Sequence, residues 1–237
     1  MAANEVMQRL LALQEQKYGD FMAALIPNIK RDSVIGVRAA GLQKIAKDLL
    51  KYNQDDDFLR HLPHRYLEEN LLHAILIGKS KDYDTLIKRI DIFLPFVDNW
   101  AVNDTLISRG RLLMLVDHNL NDLHKRIKVW LKSSHPYTIR FAVGMLMNFF
   151  LDENSFNYKD FELVTQIKHN DYYVKMMIAW YLATALCKHY HPTIKFLQSQ
   201  KLDADIFKKT IQKAVESRRL SKTEKQFIRQ LQQKTPQ

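Results

Sequence analysis

The sequence predicts an all-α protein, an α-solenoid of two-helix repeats, on three observations. First, related apolar-plus-polar segments return about every thirty-six residues: Pro63-His-Arg-Tyr-Leu-Glu-Glu, Asn99-Trp-Ala-Val-Asn-Asp, Pro136-Tyr-Thr-Ile-Arg and Asp171-Tyr-Tyr-Val-Lys. They set Glu68, Asp104, Arg140 and Lys175 at intervals of 36, 36 and 35 residues. In a stacked array such positions form a line along one face, so the register predicts Asp104 and Arg140 as neighbours. Second, Gly and Pro number only six each in 237 residues, and no alternating run rich in Val and Thr marks a strand. Third, 46% hydrophobic content over this length supplies one substantial core or a continuous array of small ones.

The elements follow in order. Val6, Leu10 and Leu13, with Met7 and Leu11, make a helical stripe over Asn4 to Gln16 that could cap the array. A short segment from Tyr18 to Ile29 is broken by Pro27, and Gly36 marks a turn. Leu42, Ile45, Ala46, Leu49 and Leu50 resume a helix, which is expected to stop in an acidic linker, Asn53 to Asp57. Further helices are expected over 65–78, 82–94, 99–116, 120–132, 136–151, 158–168, 172–189, 191–199, 203–218 and 221–233. The breaks between them, such as Gly78-Lys-Ser and Ser133-Ser-His-Pro136, are too short for interdomain linkers. A single domain over 1–237 is therefore expected, with 1–30 as its cap and 201–237 as a basic carboxy-terminal helix pair.

The lone Cys187 cannot form an internal disulfide, which fits a cytoplasmic protein. No apolar run is long enough to cross a bilayer, and no signal segment opens the chain, so no membrane role is expected and Asn103-Asp-Thr105 is not a credible glycosylation site. The formal charge of +10 points to a polyanion, because binding one releases counterions. The excess is concentrated: residues 201–237 hold ten Lys or Arg against four Asp or Glu, including Lys208, Lys209, Lys213, Arg218 and Arg219. A solvated basic helix pair would give the same count, and both readings stay open.

Phosphate loops, His-Glu-x-x-His, paired Cys-x-x-Cys and nucleophile elbows are all missing, which argues against nucleotide hydrolysis and zinc chemistry. What remains is a sparse polar and aromatic set. Trp100 and Asp104 stand four apart on one helix face, an aromatic wall beside a carboxylate. Asp98, at the start of that helix, reads as its cap or dipole partner, whereas Asp104 lies too deep for that role. Arg140 interrupts Ile139, Phe141, Ala142 and Val143, and Trp180 interrupts the apolar run from Met176 to Leu186. Packing and simple ion pairing account for such residues elsewhere. The register, however, aligns Arg140 with Asp104 and continues to Lys175, a cation row suited to a phosphate backbone.

With these residues the chain resembles the AlkD-type DNA alkylation repair proteins, the HEAT-like-repeat DNA glycosylases. Gly36-Val-Arg38, Asp98-Asn-Trp-Ala-Val-Asn-Asp104, Tyr137-Thr-Ile-Arg-Phe-Ala142 and Lys175-Met-Met-Ile-Ala-Trp180 carry the resemblance across nearly the whole chain. It implies a solenoid of HEAT-like repeats holding duplex DNA and hydrolysing the N-glycosidic bond of cationic N3- or N7-alkylated purines. Trp100, Asp104, Arg140 and Trp180 fall on the family's catalytic pattern. Asp104 would stabilise positive charge on the deoxyribose, Trp100 and Trp180 would embrace the sugar, and Arg140 would hold the adjacent phosphate. Arg38, Tyr137, Lys175 and the five basic residues of the tail would contact DNA. No metal or cofactor is implied, and a monomer suffices. The family also includes paralogues that bind DNA weakly without excision. Three features lean that way: the short stretch from Tyr18 to Ser33, Pro136-Tyr-Thr-Ile before Arg140, and Gly36-Val-Arg-Ala-Ala where a proline is common. A weak DNA-binding or protein-binding solenoid is thus the alternative.

Overall fold

The computed structural model describes residues 2–108, 115–116, 118–153, 155–199 and 202–234. Among them every regular element is a helix. The chain divides into two compact units, residues 1–119 and 120–237. Each is a stack of helical repeats in which helices two apart in the sequence pack side by side.

The first unit contains α1 (Ala2–Ala12), α2 (Gln16–Leu25), α3 (Ala39–Lys51), α4 (Asp55–Arg60), α5 (Leu67–Ile77), α6 (Tyr83–Phe93) and α7 (Trp100–Ile107). Helices α3, α5 and α7 pack in succession, with α1 against α3 and α4. The stripe of α3 is buried as its spacing requires: Leu42, Ile45, Ala46 and Leu49 recur at three- and four-residue steps. Helix α5 is buried nearly all round, since it lies between α3 and α7. The expected acidic linker is corrected here, because Asp55–Arg60 is a helix. Three aspartates in its first turn complement the helix dipole, and Phe58 and Leu59 bury its other face. The helix expected over 99–116 ends at Ile107, where Ser108 takes extended backbone; 109–114 lies outside the described residues.

The second unit contains α8 (Leu120–Trp130), α9 (Pro136–Phe149), α10 (Lys159–Thr165), α11 (Tyr172–Lys188), α12 (Tyr190–Ser199), α13 (Ala204–Glu216) and α14 (Lys222–Lys234). Here α9, α11 and α13 pack in succession, with α8 on α9, α10 and α12 on α11, and α14 on α13. Side chains cap several of these starts: His135 accepts from Thr138 N–H, Asp171 from Tyr173 and Val174, and Asp203 from Asp205 and Ile206. Ser221 and Glu224 close a capping box at α14.

The loop before α3 sets the geometry of the first unit. Val34, Ile35 and Val37 are buried, and Glu68 of α5 is only 1% exposed beneath them. Its carboxylate oxygens accept the backbone N–H groups of Ile35 at 2.9 Å, Gly36 at 2.7 Å and Val37 at 3.3 Å. Gly36 has φ of +94°, and a Cβ there would stand 2.4 Å from the Glu15 carbonyl oxygen and 2.7 Å from the Gly19 nitrogen. Only glycine satisfies both demands. Glu68 therefore differs from the other members of the recurrence. It is the second residue of its helix, whereas Asp104 and Arg140 are the fifth and Lys175 the fourth of theirs.

A histidine pair, His73 buried and His64 half-buried, joins α5 to the loop before it. His64 Nε2 lies 2.8 Å from His73 Nδ1; His64 stacks on Phe58 and His73 on Phe93. Burial, reinforced by the charge of His61, pushes His64 down to about 4; burial, with His64 and Arg89, pushes His73 down to about 3. The unfolded chain, with its histidines near 6.5, then binds more protons than the folded one below that pH. The stability is full above about pH 6.5 and falls as pH drops toward the folded values. Urea unfolding is expected to show a loss on the order of 2 kcal/mol between pH 7 and 5.5. Replacing His73 by Phe should flatten that slope, and an unchanged slope would remove the pair from the account.

Candidate nucleic-acid interface

Asn99 starts α7 by accepting the Val102 N–H through its side chain at 3.1 Å. This corrects the reading of Asp98 as the cap: the Asp98 side chain instead accepts from the Asn99 amide at 2.8 Å, steadying the residue that does the capping. The cap projects Trp100 from the first helical position and Asp104 one turn later on the same face. Both are half-exposed, while Ala101, Val102 and Asn103 between them are buried. The indole N–H of Trp100 donates to the Leu25 carbonyl at 3.2 Å. Beside this helix start opens a polar cleft of about 350 Å³, whose lining includes Asn28, Lys30, His64, Arg65, Asp98 and Asn99. Its two cations lie within the same unit as Trp100 and Asp104.

Arg38 is on the surface, its side chain 61% exposed, and it is already engaged. Its guanidinium grips Glu15 through Nε at 2.8 Å and Nη2 at 2.9 Å and lies 4.7 Å from the Tyr18 ring centre. The hydrogen bonds from Arg38 hold the Glu15 carboxyl below its ordinary value. A phosphate approaching Arg38 would have to compete with a bidentate carboxylate.

In the second unit Arg140 is 4% exposed and donates from Nη1 to the Tyr173 carbonyl at 3.1 Å, tying α9 to α11. Tyr137, one turn earlier, is 5% exposed and packs near the ring of Tyr173 at 5.8 Å. The structure places it in the wall between α9 and α11 rather than on an open surface. Lys175 reaches Asp203 at 2.9 Å and Asp205 at 3.5 Å, and the hydrogen bond to Asp203 raises its ordinary value further. It links the starts of α11 and α13, so its charge is compensated within the unit.

Helices α11 and α13 together present one set of accessible aromatic and cationic groups. Trp180 is 39% exposed, with Lys213 Nζ 5.7 Å from its ring centre. Tyr172, 53% exposed on the same helix, has Lys209 Nζ at 4.8 Å. Positions 209 and 213 are one turn apart on α13, and 172 and 180 two turns apart on α11, so each pair shares one face of its helix. Lys208, Arg218 and Arg219 are exposed. Trp180, Thr184, Cys187, Lys213, Ser217 and Arg219 line part of a cleft of about 420 Å³. A ring face beside an ammonium group is suited to a nucleotide, stacking on one and paired in charge with the other. Tyr172 was missed in the sequence because two adjacent tyrosines follow the cap and only the fold decides which points outward.

No described helix is long and apolar enough to cross a membrane. Comparison with curated proteins finds no match. The family of the DNA alkylation repair enzyme matches residues 6–226, a span that takes in both Trp100 with Asp104 and the aromatic and cationic face of α11 and α13. Over that length the chain belongs to the DNA alkylation repair enzyme family.

Proposed function

We propose that the protein is a DNA glycosylase that removes cationic N3- or N7-alkylated purines from duplex DNA by hydrolysing the N-glycosidic bond. The observation that carries this reading is the Trp100 and Asp104 pair, half-exposed on one face of α7 within the matched span. A purine alkylated at N3 or N7 already bears positive charge. It departs with the bonding electrons as a neutral base and needs no general acid. The positive charge that develops on the deoxyribose is the main barrier, and a fixed carboxylate lowers it. Asp104 supplies that field and orients the water whose oxygen bonds to the anomeric carbon. Trp100, one turn before Asp104 on the same helix face, offers its ring face to the same charge. Arg140, buried against the Tyr173 carbonyl, holds the start of α11 in place, and the cations of α11 and α13 steer the duplex.

This chemistry discriminates by charge. The protein should release N7-methylguanine from a duplex well above the spontaneous rate, with chelator present, and leave a neutral lesion such as uracil in place. Equal release of both would require a general acid and overturn the mechanism. A second reading, a family paralogue that binds DNA weakly or docks protein without excision, is favoured by the enclosure of Tyr137, the aspartate pairs on Lys175 and the ten-residue α2. It predicts background release of both bases.

A further inference from the structure

Two hydrogen bonds of opposite sense join the turn after α2 to the start of α7. The Trp100 indole N–H donates to the Leu25 carbonyl, across 75 residues of sequence. The Asn28 side-chain amide donates to the Asp98 carbonyl, across 70. One bond fixes the ring; the other fixes the backbone two residues before it.

The turn is itself held firmly. Ile26 within it is fully buried, and its N–H closes the end of α2 on Met22 and Ala23. Ile29 N–H bonds to the Ile26 carbonyl at 3.2 Å. Arg31 ties the following segment back to α2 through Asp20 at 2.6 Å and to the Val34 carbonyl at 2.6 Å. Gly19 makes room for that guanidinium, since a Cβ there would lie 2.8 Å from Arg31 Nη2. Trp100, by contrast, leaves the first position of its helix half-exposed, and an indole there has rotamers to choose among. A donor–acceptor contact to a rigid turn selects one of them.

We propose that the Leu25–Asn28 turn is a positioning element for Trp100, holding the indole in the orientation that serves the sugar. This rests on the role given to Trp100 above. A ring that stabilises charge must be in place before the charge forms, so loosening it lowers the chemical rate and spares DNA affinity.

The test reads the ring and the reaction separately. In a Trp180→Phe background the accessible tryptophan is Trp100, because Trp130 is 4% exposed. Asn28→Ala should raise acrylamide quenching of that emission at least twofold and lower its anisotropy, with helical content unchanged. Asn28→Asp, whose carboxylate has no proton to donate, should do the same. In the protein with all its tryptophans, either variant should slow single-turnover excision about tenfold at unchanged affinity for duplex. Unchanged quenching and anisotropy in both variants would overturn the positioning role, as would a looser ring with an unaltered excision rate. If the parent protein releases no base, the glycosylase reading fails alone and the optical measurements still decide whether the turn holds the ring.

Discussion

Replacing Asp104 by Asn is expected to reduce excision of N7-methylguanine by a hundredfold or more while leaving the fold intact. The two side chains have the same shape, and Asp104 is half-exposed, so the substitution leaves no cavity. In the proposed mechanism, what it removes is a negative charge beside a sugar that becomes positive in the transition state. Losing one preorganised electrostatic group of this kind costs roughly 10²–10³ in rate. The loss should fall on the single-turnover rate rather than on DNA affinity. Removing a carboxylate also removes repulsion from phosphate, so affinity should hold or rise slightly. Thermal unfolding and helical content identical to the parent's, with excision lost, would separate this role from a structural one. Full excision by the variant would take Asp104 out of the chemistry.

The largest effect on stability is expected at Glu68. Its two carboxylate oxygens satisfy three backbone N–H groups in a loop that has no other means of pairing them and is closed to solvent by Val34, Ile35 and Val37. An unsatisfied buried donor costs about 1–3 kcal/mol, so Glu68→Ala should lower stability by roughly 3–5 kcal/mol. That is a large share of the roughly 5–15 kcal/mol that holds a typical domain together. Glu68→Gln should cost less, roughly 2 kcal/mol, because one oxygen remains while its amide turns a donor toward a donor. Urea unfolding of both variants checks the order. A loss below about 1 kcal/mol for Glu68→Ala would mean that the loop finds other acceptors. The same loop sets the position of α2 through the bond from Glu15 N–H to the Gly36 carbonyl at 2.9 Å. A weakened Glu68 site should therefore reach the turn that holds Trp100.

How far the sequence revealed this arrangement depended on the range of the forces involved. The helices were legible because apolar periodicity is local: the stripe from Leu42 to Leu49 needs only its own spacing to find a face. Helix α4 was hidden behind its three aspartates, which look like a linker until the dipole of a short helix and the burial of Phe58 are taken together. The start of α7 was placed one residue early because Asp98 and Asn99 are both good caps, and only the backbone decides which side chain reaches Val102. The thirty-six-residue recurrence located Asp104, Arg140 and Lys175 at like depths in their helices, but treated Glu68 as their equivalent although α5 begins three residues later in the register. Long-range pairing was the least legible. Lys175 reads as a free cation until Asp203 and Asp205 arrive from 28 and 30 residues away, and nothing near Trp100 in the sequence announces Leu25 or Asn28.

The most direct test of the functional account is the release of free base from a duplex carrying one N7-methylguanine. It would be measured at low salt against the spontaneous rate, with the parent protein and the Asp104→Asn variant side by side. Release far above background by the parent, abolished in the folded variant, is the predicted result. Background release by a folded, DNA-binding parent would contradict it and favour the second reading, DNA binding without excision.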